Sequence, residues 1–300
     1  MQNFKNLLED VYVNGVDKPD RTGIGSRAVF GRMLRWDLAQ GFPLTTLRKV
    51  PLRFAFEETM FFLRGETNTK LLEEKKINIW KGNTSREFLD KRGLTHLPEG
   101  DMGKGYGYQW RHWETHGRYY DSYDGEVHTG IVETDQIAEL LNGIKNDPYG
   151  RRHVVTGWNP GQLHEMALPP CHMLHMYSVE GELTPNDGKL NNSFVMRSND
   201  VPFGLPFNIA SYALLNHIFA KHLGLIPGEL VYFGWDVHIY QNQFEMVNEM
   251  LEREPRPLPI LEIKKDLPTF DDILALQWED IEIIGYDPYP DVKNKPGMAI

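Results

Sequence analysis

The chain opens with apolar residues at helical spacing, "FKNLLEDVYVNG", closed by Gly15, and then changes to the alternation "RAVFGRMLRWDL". The first pattern predicts an amphipathic helix and the second a half-buried strand. "LRFAFEETMFFLRG" has a wider apolar stripe and stops at Gly65, which predicts a buried helix with Glu57 and Glu58 near its middle. One of these carboxylates is expected to face the interior or a cleft. Residues 81–105 are polar and rich in turn formers, and "EGDMGKGYGYQW" spaces its glycines closely, so this stretch predicts an irregular excursion that returns at Tyr106. "TDQIAELLNGIKNDPYG" predicts a capped amphipathic helix stopped by Pro148, and "RRHVVTGW" a strand with a tandem arginine at its entrance. "MLHMYSVEG" and "NNSFVMRS" read as strands on either side of a polar turn at 185–188, and "FNIASYALLNHIFAKHLG" as a central buried helix ended by Gly224. Helices and strands interleave without a regular βαβ rhythm, which favours an α+β fold over a doubly wound sheet. Neither a repeat nor a linker interrupts the chain, so residues 1–300 are expected to form one domain.

Composition narrows the function classes. No apolar run approaches the ~20 residues needed to cross a bilayer, and the N-terminus lacks a basic segment followed by an uninterrupted apolar one. A soluble protein that neither enters a membrane nor is secreted is expected. The single cysteine rules out an internal disulfide and suits a reducing cytoplasm. A net charge of −10 argues against DNA or broad nucleic-acid binding, because phosphate-tracking surfaces need excess Lys and Arg. A small anion needs only a local cluster of arginines, and so stays open.

Candidate chemistry centres on Cys171 in "LPPCHMLHMYSV". A thiolate needs nearby cations. Arg197 lies on the next predicted strand and Arg151 and Arg152 on the one before, so strand pairing could gather them around the sulfur. Arg21 in "DRTG" adds to a possible phosphate clamp. Glu58 reads either as a salt-bridged helix residue or as a buried carboxylate of raised pKa that relays protons. His238 and Tyr240 in "WDVHIYQNQ" would project from one face of a strand, as structural groups or as donors to a ligand. Asn208 in "GLPFNIASY" could cap the following helix or read a ligand edge that offers one donor and one acceptor. On local sequence each keeps its ordinary alternative: an inert packed thiol, solvated arginines, a half-exposed glutamate. Metal-ligand spacings and triphosphate-binding glycine loops are absent, so no metal is expected.

Together "DRTGIG", "GFPLTT", "INIW", "YGYQWR", "GRRHVV", "ALPPCH", "RSNDVPFGLPFNIASYALL", "DVHIYQN", "REPRPLP" and the final "AI" closely resemble the thymidylate synthases, in the same order from about Asn14 to Ile300. The resemblance implies a single-domain α+β fold with a mixed twisted sheet packed by helices, dimerising through the sheet. It also implies 2′-deoxyuridine monophosphate (dUMP) and 5,10-methylenetetrahydrofolate as substrate and co-substrate. By the same match Cys171 is implied as the nucleophile at C6 of the pyrimidine. Arg21, Arg197 and Ser198 are implied as phosphate ligands, with Arg151 and Arg152 lent by the partner subunit. Asn208 would read uracil, and His238 and Tyr240 would hold the sugar hydroxyl. Glu58 and Tyr106 would handle protons, Trp80, Asp200, Gly204 and Phe207 would form the folate side, and Ala299 and Ile300 the closing tail.

Several positions depart from the family's usual residues: Arg48, Lys104, Gly105, Met176, Met196, Trp235 and Gln243. "MRSNDVPFG" also looks like the related phage nucleotide hydroxymethylases, which make the same methylene intermediate but add water where a synthase adds hydride. Trp80 and the tail favour a dry site, whereas Lys104, Gly105 and Trp235 could reshape its water. Two further readings are a non-catalytic nucleotide- or RNA-binding protein, and a Cys-His hydrolase using His172 or His238.

Overall fold

The computed structural model describes residues 1–20, 22–121, 123–183, 187–293 and 295–296. Arg21, Ala299, Ile300 and Pro185 of the expected turn lie outside the described residues. The elements follow in the order α1 (Gln2–Asn14), β1 (Val16–Lys18), β2 (Ser26–Asp37), α2 (Leu52–Leu63), α3 (Lys70–Glu74), α4 (Arg86–Lys91), α5 (Tyr106–Arg111), β3 (Trp113–Asp121), β4 (Glu126–Thr134), α6 (Gln136–Asn146), β5 (Val154–Thr156), β6 (His172–Glu180), β7 (Lys189–Asp200), α7 (Gly204–Leu223), β8 (Ile226–Tyr240), α8 (Phe244–Leu251), β9 (Ile260–Ile263), α9 (Phe270–Leu274) and β10 (Ile281–Ile284).

Six strands form one mixed sheet in the order β1-β2-β8-β7-β6-β5, in which only β7 and β8 run parallel. α7 lies against β7 and β8, and α2 against α7. α7 is apolar nearly all round, from Leu205 to Ala220, because it sits between the sheet and α2 with little of its surface facing water. Gly224 ends it in the left-handed conformation, at φ 69°. The mixed α+β architecture agrees with the expectation.

The alternation of inward and outward side chains changes parity at one level in three neighbouring strands. In β7, Met196 and Asn199 are both buried although three residues apart, and the Asn199 amide reaches the Met196 sulfur. In β8, a Cβ on Gly234 would collide with both Tyr232 and Val237, so residues on either side of that level share a face. In β2, Val29 and Leu34 are both buried on either side of Gly31, whose φ is +71°. Below this crease the strands offer the helices an apolar face. Above it they turn Arg197, Ser198, Asp236, His238 and Tyr240 into a cavity.

Three expectations need correction. The strand expected in "RRHVVTGW" is only Val154–Thr156, at the sheet edge, and Arg151 and Arg152 precede it in exposed irregular chain. Residues 81–105 contain α4, which Ser85 caps by accepting from the Phe88 N–H. Asn208 lies inside α7, whose first turn has no side-chain cap, so the capping alternative falls. The hairpin of β3 and β4 escaped the sequence reading altogether; it forms a separate two-stranded sheet.

Candidate active site

Two consecutive prolines stop regular structure at 169–170 and deliver Cys171 to the start of β6. Its backbone is held at both ends. The Cys171 N–H donates to the Tyr106 hydroxyl at 2.7 Å, and the Cys171 carbonyl accepts from the Arg197 N–H at 2.9 Å. The Arg197 guanidinium clasps the same loop, Nε donating to the Pro170 carbonyl at 2.8 Å and Nη2 to that of Pro169 at 2.9 Å. Nη2 also stands 3.9 Å from Cys171 Sγ. Nη1 has no hydrogen bond among the described residues. One arginine thus shapes the cysteine loop and faces the sulfur.

A cavity of about 580 Å3 opens on Cys171 and is lined by Arg197, Ser198, Asp200, His238 and Tyr240, together with Lys18, Asp20, Ser26 and Asp236. The His238 and Tyr240 rings meet edge to face at 5.0 Å, as expected of residues two apart on one strand face. Asp200 accepts from the Phe203 N–H at 3.2 Å and from Gln243 Nε2 at 3.0 Å, while Gln243 Oε1 accepts from the Tyr240 N–H at 3.0 Å. The buried Gln243 amide therefore ties the Asp200 carboxylate to the backbone of Tyr240. Burial raises the Asp200 pKa, against the pull of His238 and the Gln243 bond. A Cβ added at Gly204 would stand 3.8 Å from both the Asn208 side-chain oxygen and Asp200 Cβ, so Asp200 and Asn208 flank Gly204 at the first turns of α7.

Beneath Cys171 lies a layer of aromatic and titratable groups. Tyr106 stacks on His172 at 4.1 Å and packs on Phe62 and Trp80, and its phenol pKa is raised, chiefly by burial. Trp80 Nε1 donates to Glu58 Oε1 at 2.7 Å. Burial pushes Glu58 up to about 7 while the Trp80 bond pulls the other way. Both carboxylates of α2 point inward, because Glu57 is also buried and bonds Lys75 at 2.6 Å. His172 faces away from the cavity, Nδ1 meeting the Tyr212 hydroxyl at 2.7 Å, and burial depresses it to about 3. An imidazole held neutral in the core is no base for Cys171, which removes that form of the hydrolase reading.

Arg151 and Arg152 are not brought to the sulfur. They line a different cavity, of about 620 Å3, between α6 and β5. The gathering of all these arginines by strand pairing within one chain is therefore corrected. Arg48 is also placed differently from a residue that would meet an anionic ligand. It is buried, and its Nε and Nη2 donate to the Pro202 carbonyl at 3.1 and 2.9 Å, Nη2 also reaching that of Phe203 at 3.3 Å. Lys104 is turned out and clipped by Glu114 at 2.7 Å and Glu165 at 3.1 Å. Met176 and Trp235 lie on the open sheet face and Met196 in the core. None of these departures lines the Cys171 cavity among the described residues. Motif searching also missed a grouping at the tip of the β3–β4 hairpin, where Asp121, Asp124 and His128 bring ligand atoms within 4.8 Å of one another.

The family model described as "Thymidylate synthase" matches residues 2–298. A Paramecium tetraurelia protein named "Bifunctional dihydrofolate reductase-thymidylate synthase" is 41% identical over 297 residues, covering 99% of this chain and 61% of that protein. A Zea mays protein of the same name is 41% identical, with 99% of this chain and 54% of that protein covered. "Bifunctional dihydrofolate reductase-thymidylate synthase 2" of Arabidopsis thaliana is 40% identical, with 99% and 50% covered. The chain spans about half to three-fifths of the length of these curated relatives.

Proposed function

The chain belongs to the thymidylate synthase family, and from that premise we propose that it makes dTMP from dUMP, taking the one-carbon unit from 5,10-methylenetetrahydrofolate and releasing dihydrofolate. The observation that carries this reading is Cys171, clamped between the Tyr106 hydroxyl and the Arg197 guanidinium at the floor of a cavity large enough for a nucleotide. A fixed sulfur facing a cation suits addition to C6 of the pyrimidine, which leaves C5 nucleophilic. The folate supplies the one-carbon unit and then the hydride.

The chain's residues divide the remaining work. Arg197 through Nη1, Ser198 and Arg21 bind the phosphate, joined by Arg151 and Arg152 of the partner subunit. Asn208 reads the uracil edge, its amide having no hydrogen-bond partner among the described residues. His238 and Tyr240 hold the sugar hydroxyl. Glu58, pushed up to about 7, can both take and give a proton near neutrality, next to a phenol that stays neutral. Trp80, Asp200, Gly204 and Phe207 face the folate, and Ala299 and Ile300 close over it. Arg48, spent on backbone carbonyls, orients the 202–203 turn beside Asp200 and contributes no charge to the co-substrate.

A homodimer through the open sheet face fits the cross-strand row Met33–Phe233–Val195–Leu174, to which Phe30 and Trp235 add further exposed apolar surface. It would also give Arg151 and Arg152, remote from their own Cys171, a site to serve. We further read residues 1–300 as one catalytic unit working in the cytoplasm. No described helix is long and apolar enough to cross a membrane. Incubation with dUMP and methylenetetrahydrofolate, followed by mass measurement of the nucleotide and identification of the folate product, tests the activity. Methylated nucleotide with dihydrofolate is expected. Hydroxymethylated nucleotide with tetrahydrofolate would replace the synthase reading by the hydroxymethylase one, and binding without product would leave a nucleotide-binding protein.

A further inference from the structure

Lys18 and Asp236 line the Cys171 cavity but have no part in the reading above. Asp236 sits on β8 two residues before His238, and its Oδ1 lies 2.9 Å from His238 Nδ1. Its other oxygen is ion-paired with Lys18 of β1, across a sheet order that brings residues 218 apart in sequence together. The His238 bond, assisted by Lys18, holds the Asp236 carboxyl down to about 2. An ionised carboxylate accepts and never donates, so the proton of this contact must be on Nδ1. In a neutral imidazole the second nitrogen then carries a lone pair. His238 Nε2 has no hydrogen-bond partner among the described residues. The neighbouring groups do not reverse the assignment: Asp200, the register partner of His238 on β7, has both carboxylate oxygens taken up, by the Phe203 N–H and by Gln243 Nε2, and Tyr240 meets the imidazole edge to face.

We infer that Asp236, held in place by Lys18, fixes the tautomer of His238 so that Nε2 meets the sugar as an acceptor, making the site specific for nucleotides with a free 3′-hydroxyl. The inference rests on the reading of His238 as a sugar ligand. A nucleotide whose 3′-hydroxyl is missing or methylated has no proton to give, and leaves a partly buried acceptor unpaired. Asp236 and Lys18 act through His238 and are positioning residues.

Two measurements on the whole protein test this. The 15N spectrum of His238, assigned by its loss in His238→Gln, is expected to show a protonated Nδ1 and a bare Nε2 in the neutral imidazole; a protonated Nε2 overturns the inference. Binding of dUMP is expected to exceed that of 3′-O-methyl-dUMP by about 10- to 100-fold in the natural protein. Asp236→Asn, whose amide can donate to Nδ1, is expected to bring the ratio within about threefold, and Lys18→Met to narrow it less. A ratio unchanged in Asp236→Asn overturns the inference, and where that variant does not fold the spectrum of the natural protein decides alone. If the natural protein binds neither nucleotide, the functional reading fails while the spectrum still reports the tautomer.

Discussion

Replacing Trp80 by Phe removes one hydrogen bond from Glu58 and leaves a smaller ring against Phe62, Tyr106 and the proposed folate side, so the midpoint of the pH profile, not the absolute rate, is the readout. Burial lifts Glu58 from an ordinary 4.5 to about 7 even though the Trp80 N–H favours the charged form. A hydrogen bond to a charged group is worth about 1.5–3 kcal/mol, and one pH unit is about 1.4 kcal/mol. Loss of the indole donor should therefore raise Glu58 by a further ~1–2 units, towards about 8–9. The assay is the pH dependence of kcat/KM, paired with the infrared band of the protonated carboxyl across the same range. In Trp80→Phe the band should persist about one to two pH units higher than in the natural protein, and the rate profile should move with it. A midpoint that stays put or falls refutes the reasoning, because the bond would then not be favouring the carboxylate over the acid. A moved infrared band with a fixed rate profile would keep the electrostatics and remove Glu58 from the proton transfers.

Cys171→Ser should lower turnover by about 10^4-fold or more while nucleotide binding by calorimetry persists; substantial residual turnover would end every covalent scheme. Stability should peak near neutrality for two opposed reasons. His172 and His175 are depressed to about 3, so the unfolded chain binds more protons, and each residue's contribution is complete above 6.5 and lost at about 1.4 kcal/mol per pH unit as pH falls towards 3. Glu58 is raised, so its contribution is complete below 4.5 and lost as pH rises through about 7, in all ~3 kcal/mol. Urea titrations of the natural protein and of Glu58→Gln at pH 4–8 check both limbs, and the variant should lose the decline on the alkaline side. His175→Phe should stabilise by about 1–3 kcal/mol, because it deletes a buried Nε2 that has no partner while the Tyr177 hydroxyl keeps Asn192; a lower urea midpoint would show that the imidazole is paired after all.

The strongly periodic parts of the fold were legible in the sequence. α1, α2, α6 and α7 follow their apolar stripes, and β2, β6, β7 and β8 follow their alternation. The β3–β4 hairpin was not, because His116, Arg118 and Glu133 mix with Ile131, Tyr120 and Val127 on one face and no core imposes a period. The crease was invisible for the opposite reason: the alternation in "RAVFGRMLRWDL" reads straight through Gly31, and "NNSFVMRS" stops at Ser198, one residue short of the Asn199 that shares a side with Met196. At the site, the roles proposed for Cys171 and the residues around it come only from the family resemblance; local sequence favoured a packed thiol. What positions these residues is long-range. Asp236 finds Lys18, Gln243 finds Asp200 and Arg48 finds the Pro202 carbonyl, and no spacing along the chain announces those meetings. Arg48 and Lys104 show the limit of counting charge, since a cation's number says nothing about which way it turns.

The crease shared by β2, β7 and β8 also bears on how such a chain can change over time. Substitutions on the open face or in the exposed hairpin touch few neighbours and can accumulate one by one. A one-residue insertion in any of the three creased strands is another matter. It would slip that strand against partners that keep their own parity, carrying every later side chain to the opposite face. In β8 the slip would send Val237 and Ile239 into the cavity and His238 out of it. Only a matched change in all three strands would preserve the alignment, and three simultaneous insertions are rarer than one by orders of magnitude. The pocket above the crease is thus more sensitive to a change of length than the 113–134 ribbon, which pairs with no strand of the six-stranded sheet.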